Sequence, residues 1–253
     1  MTTATRRVAL ITGASYGVGA AIATALVRDG IDVALTATRT ENLNTVTADI
    51  AASSRRVIPI ALDLRSQDKI ETAVANVVEA FGQVDVLVNN AGANLRRSAV
   101  DVTRDEWDDV IATNLTGTFF LTQQVGRHLI ARGAPGSIIT VSSTHGLVRA
   151  AERSTYGISK AGLIHMTRML AIEWAEHNIR VNAVAPGRLD TSSPSRAGTR
   201  SDKSYMEAML KRIPLHRLAT AEEIAGVVAF LASPAAASMT GQTIVVDGGL
   251  TAG

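Results

Sequence analysis

Short apolar runs rich in β-branched residues recur along this chain, and each is followed by a longer stretch with helical spacing. The runs are VALIT (8–12), DVALTA (32–37), RVIPIA (56–61), VDVLV (84–88), GSIITV (136–141), IRVNAV (179–184) and TIVVD (243–247). They are continuously apolar rather than alternating, which predicts strands covered on both faces. Helices are predicted over roughly 17–30, 41–53, 66–82, 103–132, 155–177 and 220–233, where apolar residues recur at 3.6 spacing. Thr103 opens TRDEW and Thr220 opens TAEEI, so each is predicted as an N-cap with acid in the first turn. Strand–helix alternation of this kind builds right-handed βαβ units and a doubly wound α/β sheet.

No linker or repeat divides the chain, so residues 1–253 are expected to act as a single domain. The irregular stretch is 187–212, rich in Ser, Gly and Arg. It reads as a substrate lid or as a tolerated surface loop. There are 25 Lys+Arg against 23 Asp+Glu. That near-balance gives no reason to expect a nucleic-acid partner. With no cysteine, disulfides, thiolate nucleophiles and Cys-bound zinc are excluded. The five histidines show no metal-ligand spacing, and no metal is expected. No apolar run is long enough to span a membrane, and the N-terminal apolar run is too short for a signal peptide. A cytoplasmic location is the expectation.

The first strand runs directly into TGASYGVGAAIATAL, where Gly13, Gly17 and Gly19 form G-x-x-x-G-x-G. This departs from the common G-x-G-x-x-G spacing. It still puts a tight glycine turn and a helix N-terminus where a dinucleotide pyrophosphate binds. The end of the second strand reads ALTATRTEN, with Thr38 where a ribose-binding carboxylate is expected. Arg39 follows, and a guanidinium can bind a 2′-phosphate. NADP is therefore expected over NAD, with a merely solvated Arg39 as the alternative.

Further along come LDL (62–64), NNAG (89–92), Asn114 in IATNLTG, VSS (141–143), YGISK (156–160) and APG (185–187). With the glycine turn and the C-terminal IPLHRLATAEEIAGVVAFLASPAAASMTGQTIVVDGG, these motifs, in this order, resemble the short-chain dehydrogenase/reductase family over nearly the whole chain. The resemblance implies a Rossmann-type sheet and an NAD(P)-dependent oxidoreductase acting on a secondary alcohol or ketone. It implies a catalytic set of Asn114, Ser143, Tyr156 and Lys160. It assigns Gly13, Ser15, Tyr16, Gly17, Val18 and Gly19 to the pyrophosphate. Asp63 and Leu64 fall to the adenine, and Asn90, Ala91 and Gly92 to the adenosine and ribose. Pro186, Gly187, Leu189 and Thr191 fall to the nicotinamide carboxamide. It also implies a homotetramer. Tyr16 stands where NADP-preferring members often carry Arg or Lys.

The chemistry agrees with these residue types. A phenol titrates near 10, too high for efficient exchange at neutral pH, and a nearby ammonium favours its ionised form. Residues i and i+4 share a helix face, which brings Lys160 toward Tyr156. Ser143 can hydrogen-bond the reacting oxygen, whereas strand alternation turns Ser142 to the other face. Asn94, Arg96, His145, Arg149, Arg153 and Arg188 follow strand ends on the expected cofactor side and are candidate substrate contacts, together with Arg97. The arginines suit an anionic substrate, or else solvent or a subunit contact. NLRR after NNAG and EWA at 173–175 resemble the family's sugar-acid and polyol dehydrogenases. A 3-oxoacyl thioester reductase is the rival enzyme, and a silent NADP-sensing binding protein is the rival class.

Overall fold

The computed structural model describes residues 6–51, 53–190 and 203–252. The strands are β1 (Val8–Ile11), β2 (Asp32–Ala37), β3 (Val57–Ala61), β4 (Val86–Asn89), β5 (Gly136–Val141), β6 (Ile179–Pro186), β7 (Leu189–Asp190), β8 (Ala219–Thr220) and β9 (Thr243–Val246). The α-helices are α1 (Gly17–Arg28), α2 (Asn44–Ala51), α3 (Gln67–Phe81), α4 (Arg104–Ile111), α5 (Gly117–Arg132), α6 (Ser154–Glu173), α7 (Lys203–Lys211) and α8 (Ala221–Ala232). Seven strands form one parallel sheet in the order β3-β2-β1-β4-β5-β6-β9, and β7 pairs with β8 apart from it.

The apolar runs are continuous because both faces of the sheet are buried. Ala9 and Ile11 join Val33, Leu35, Val86, Val88, Ile139 and Val141 in the core beneath α1 and α8. Val8 and Leu10, one position out of phase, join Ala34, Leu87, Ile138 and Val181 beneath α3, α5 and α6. Period-two alternation thus fills two cores from one strand. The edge strands differ. β3 is only partly buried and carries Pro59, which an edge tolerates because it lacks an N–H. The order reverses at β1, which pairs with both β2 and β4. Such a reversal leaves a crevice at the carboxyl ends of the strands.

Thr103 and Thr220 cap α4 and α8 in reciprocal capping boxes with Glu106 and Glu223. The predicted helix 103–132 does not run unbroken. Residues Ala112–Thr116 form a π turn between α4 and α5. The stretch 187–212 is not loop throughout, since α7 occupies 203–211. The rest of the proposed lid from 191 to 202, with Thr191, lies outside the described residues.

Close packing fixes the π turn. A Cβ on Gly117 would lie 2.0 Å from the Leu64 carbonyl oxygen, so the start of α5 touches backbone after β3. Gly117→Ala is expected to destabilise the chain by about 2 kcal/mol or more. Urea unfolding checks this, and wild-type stability would show that the two segments separate freely.

Candidate active site

The crevice at the switch point is a cleft of about 580 Å³. Its lining includes the glycine turn, the ends of β2 and β4, Ser143, Tyr156, Lys160 and the Pro186–Gly187 segment. One end is built for an anion. Tyr16, at the N-cap of α1, makes no side-chain cap bond, and α1 has no acid in its first turn. Its first N–H groups and positive dipole end are open, in contrast to the capped α4 and α8. The turn is held tightly from behind. Asn90 Nδ2 donates to the carbonyls of Thr12 and Gly13 at 3.0 and 2.9 Å. Thr12 Oγ1 accepts from the N–H groups of Asn90 and Ala91 at 2.9 and 3.0 Å. A Cβ on Gly19 would lie 2.2 Å from the Gly13 carbonyl oxygen, so close packing requires glycine there.

Asp63 and Leu64 line the next part of the cleft, with Arg65 and Asp109. Arg65 donates to both Asp63 oxygens, from its backbone N–H and Nε to Oδ1 at 3.0 Å and from a terminal nitrogen to Oδ2 at 2.9 Å. Its other terminal nitrogen reaches Asp109 Oδ1 at 2.9 Å. These hydrogen bonds hold the Asp63 carboxyl down to about 2 from an ordinary value of 3.8. Asp63 and Asp109 together raise the Arg65 guanidinium.

Toward the other end, the side chains belong to β5, the π turn and α6. Asn114 is fully buried. Its Oδ1 accepts from the Ala93 N–H at 2.6 Å, and its Nδ2 donates to the Ala93 carbonyl at 2.9 Å and to Ser159 Oγ at 3.0 Å. Ser159 Oγ in turn donates to the Tyr156 carbonyl at 2.7 Å. Lys160 is buried and donates from Nζ to the Val141 carbonyl at 2.9 Å. Its Nζ lies 5.7 Å from the centroid of the Tyr156 ring. Ser142 Oγ is used in packing, donating to the Lys160 carbonyl at 2.9 Å. Ser143 Oγ accepts from the His145 N–H at 3.2 Å, which leaves its own hydroxyl proton for another oxygen. His145 stands edge-on to Tyr156 with ring centroids 6.0 Å apart.

Gly92 faces these groups. A Cβ there would fall 3.2 Å from Asn114 Oδ1 and 3.5 Å from Lys160 Nζ. The bare α1 terminus, this glycine cradle and a buried ammonium on one continuous cleft fit a dinucleotide.

Of the predicted site residues, the cleft gathers Gly13, Ser15, Tyr16, Gly17, Val18, Gly19, Asp63, Leu64, Asn90, Ala91, Gly92, Ser143, Tyr156, Lys160, Pro186, Gly187 and Leu189. Asn114 lies just behind it. Arg39 is exposed at the end of β2 beside the lining residue Thr38. Among the seven candidate substrate contacts, only Asn94 lines the cleft. Arg96 pairs with Glu152 at 2.6 Å, and Arg153 donates to Asn94. Arg149 is exposed and Arg188 half-buried, and neither is among the lining residues. Sequence reasoning missed Thr12, Asn42, Arg65, Asp109 and Ser159. The i+3 spacing of Ser159 from Tyr156 was the available signal for the last.

The Asp63 carboxylate titrates below its unfolded value, so its contact with Arg65 stabilises the fold above about pH 4 and is lost as pH falls through about 2. Arg65→Ala is expected to return the Asp63 pKa toward about 4. A carboxyl NMR titration follows this, and an unmoved pKa would leave Arg65 without that role.

A family model described as enoyl-(acyl carrier protein) reductase matches residues 13–251. The 2-dehydro-3-deoxy-D-gluconate 5-dehydrogenase of Escherichia coli K12 is 37% identical over 245 residues, covering 96% of this chain and 94% of the relative. A 3-oxoacyl-[acyl-carrier-protein] reductase of Thermotoga maritima is 39% identical over 244 residues, covering 96% of this chain and 97% of the relative. A variant of actinorhodin polyketide ketoreductase, solved with NADPH, superposes with a TM-score of 0.92 at 36% identity, covering 99% of each chain. With its seven-stranded parallel sheet and these relatives, the chain belongs to the short-chain dehydrogenase/reductase family of NAD(P)-dependent oxidoreductases.

Proposed function

We propose that residues 1–253 act as one catalytic domain that interconverts a secondary alcohol and a ketone, with Tyr156 as general acid and base and NADP preferred to NAD. The observation that carries this reading is one cleft shared by the uncapped N-terminus of α1 and by Ser143, Tyr156 and Lys160. A bound nicotinamide supplies or accepts the hydride. The chain manages the proton. In reduction the Tyr156 hydroxyl gives its proton to the new alkoxide oxygen, and Ser143 Oγ–H donates to the same oxygen as charge builds there. The Lys160 ammonium opposes the negative charge left on the phenolic oxygen and has donors to spare for ribose hydroxyls. Asn114 touches no reacting atom in this scheme; it holds Ala93 and, through Ser159, the turn of α6 that carries Tyr156.

Gly13, Ser15, Tyr16, Gly17, Val18 and Gly19 would bind the pyrophosphate. Asp63 and Leu64 would face adenine. Asn90, Ala91 and Gly92 would border the ribose, and Pro186, Gly187 and Leu189 the carboxamide, with Thr191 following. The lining from β2 onward, Thr36, Ala37, Thr38 and Asn42, contains no carboxylate to repel a 2′-phosphate. Arg39 stands beside it with no ion pair among the described residues. The Thermotoga relative favours a second reading, in which a 3-oxoacyl thioester is the ketone. A filled set of Asn114, Ser143, Tyr156 and Lys160 speaks against a silent sensor.

The same reading carries a homotetramer in the cytoplasm. Phe119, Phe120 and Ile130 of α5 and Met169 and Ile172 of α6 are exposed, as side chains awaiting other copies would be. No described helix is long and apolar enough to cross a membrane.

Tyr156→Phe is expected to lower kcat roughly a thousandfold while NADPH still binds; near-normal turnover would sink the proton-transfer role. Arg39→Ala is expected to raise the KM for NADP about tenfold more than that for NAD. Equal changes would remove the phosphate contact. Native mass in solution tests the tetramer, and a single-chain mass rejects it.

A further inference from the structure

We propose that Asn94 is a substrate-recognition residue, that Arg153 positions it, and that the ketone it selects carries an acceptor oxygen on a neighbouring carbon. This rests on the hydride-transfer reading above. The segment after β4 and the segment before α6 are fastened together above the cleft. Arg153 donates to Asn94 Oδ1 at 2.6 Å and to the Leu95 carbonyl at 3.2 Å. Arg96 donates to Glu152 Oε2 at 2.6 Å, and the Arg97 N–H donates to the Glu152 carbonyl at 3.0 Å. Arg97 in turn grips Glu106, the capping-box acid of α4, at 2.5 Å. Glu152 takes a left-handed backbone, φ 61°, to serve both Arg96 and Arg97. A strained non-glycine residue here shows that the surrounding contacts determine the clasp.

The clasp decides which way the Asn94 amide points. A guanidinium only donates, so the atom it meets must be the amide oxygen. Asn94 is exposed and lines the cleft, and its Nδ2 donors have no acceptor among the described residues. An NH₂ group fixed in this way recognises a hydrogen-bond acceptor, such as an oxygen of the ketone's substituent, and not a donor. Arg96 and Arg97, which would otherwise have attracted an anion, face Glu152 and Glu106 instead. A hydroxyl or carbonyl oxygen therefore suffices as the partner, and a carboxylate is not required.

The test compares ketones that differ by one oxygen: α-hydroxycyclohexanone with cyclohexanone, and hydroxyacetone and methoxyacetone with acetone. NADPH oxidation is followed for the wild type, Asn94→Ala, Arg153→Ala, Arg153→Lys and the Asn94→Ala/Arg153→Ala pair. The preference for the oxygenated ketone, as a ratio of kcat/KM values, is expected to fall about tenfold in both alanine variants. The fall should appear mainly in KM. Arg153→Lys should restore part of it, and the double variant should lose no more than either single one. Methoxyacetone, whose substituent only accepts, should follow hydroxyacetone. An unchanged ratio in Asn94→Ala overturns the proposal, as do additive losses in the double variant. An Arg153→Ala enzyme that slows equally on both members of each pair reduces Arg153 to a structural role and overturns the positioning. No turnover of any ketone by a wild type that binds NADPH is a different result: it rejects hydride transfer, and this inference falls with it.

Discussion

The buried amide of Asn114 is the contact on which the catalytic end of the cleft depends. It joins three pieces of chain that no strand pairing connects: the segment after β4, the π turn and α6. Both hydrogens of its NH₂ group and its oxygen are engaged within those pieces. Such a group adds little net energy when satisfied, but its loss leaves the Ala93 N–H and carbonyl without the partner that fixes them. It therefore specifies geometry more than stability. The π turn follows from this demand. An unbroken α-helix over 103–132 would set the register from the Thr103 cap alone. The extra residue lets the α4 end keep its cap while Asn114 turns inward and Gly117 meets Leu64.

The glycine turn divides its labour differently from what its motif implies. Gly19 is required because Gly13 lies against it, and Gly92 keeps open the space before Asn114 and Lys160. The anion site itself is made by what α1 lacks. Both capping-box helices satisfy their own first turns with Thr and Glu, whereas α1 begins at Tyr16 with neither. Leaving an N-terminus uncapped costs about 1 kcal/mol of helix stability. Rigid backing by Thr12 and Asn90 keeps the turn in place without a ligand.

Much of this was legible in the sequence, for identifiable reasons. Two-sided burial wrote the strands as continuous apolar runs, and capping chemistry marked Thr103 and Thr220. Tyr156 and Lys160 were legible as a spacing, and Ser143 as a strand-end residue. The break at 112–116 was legible only as Asn114 interrupting a helical stretch, because a π turn costs a helix no change in apolar pattern large enough to read. Nor was the state of the arginines. A guanidinium looks the same in sequence whether it faces solvent, a substrate or Glu152. The pairings Arg65–Asp63, Arg96–Glu152 and Arg97–Glu106 became visible only when the chain was folded.

Those pairings change what the mouth of the site can select. Five arginines near strand ends, taken as open charges, would draw any anion toward the cleft through long-range attraction. Pairing with a carboxylate at close range reduces two of these charges, Arg96 and Arg97, to short-range dipoles, and salt screens exposed charge beyond a Debye length of about 8 Å. Selection then passes to short-range, directional contacts, and a fixed amide is more exacting than a charge in this respect. It must be met at hydrogen-bond distance and along the N–H direction, or it is left unpaired when the substrate displaces water. A clasp that pairs Arg96 and Arg97 with carboxylates and holds Asn94 through Arg153 thus adds directional discrimination between ketones of similar size.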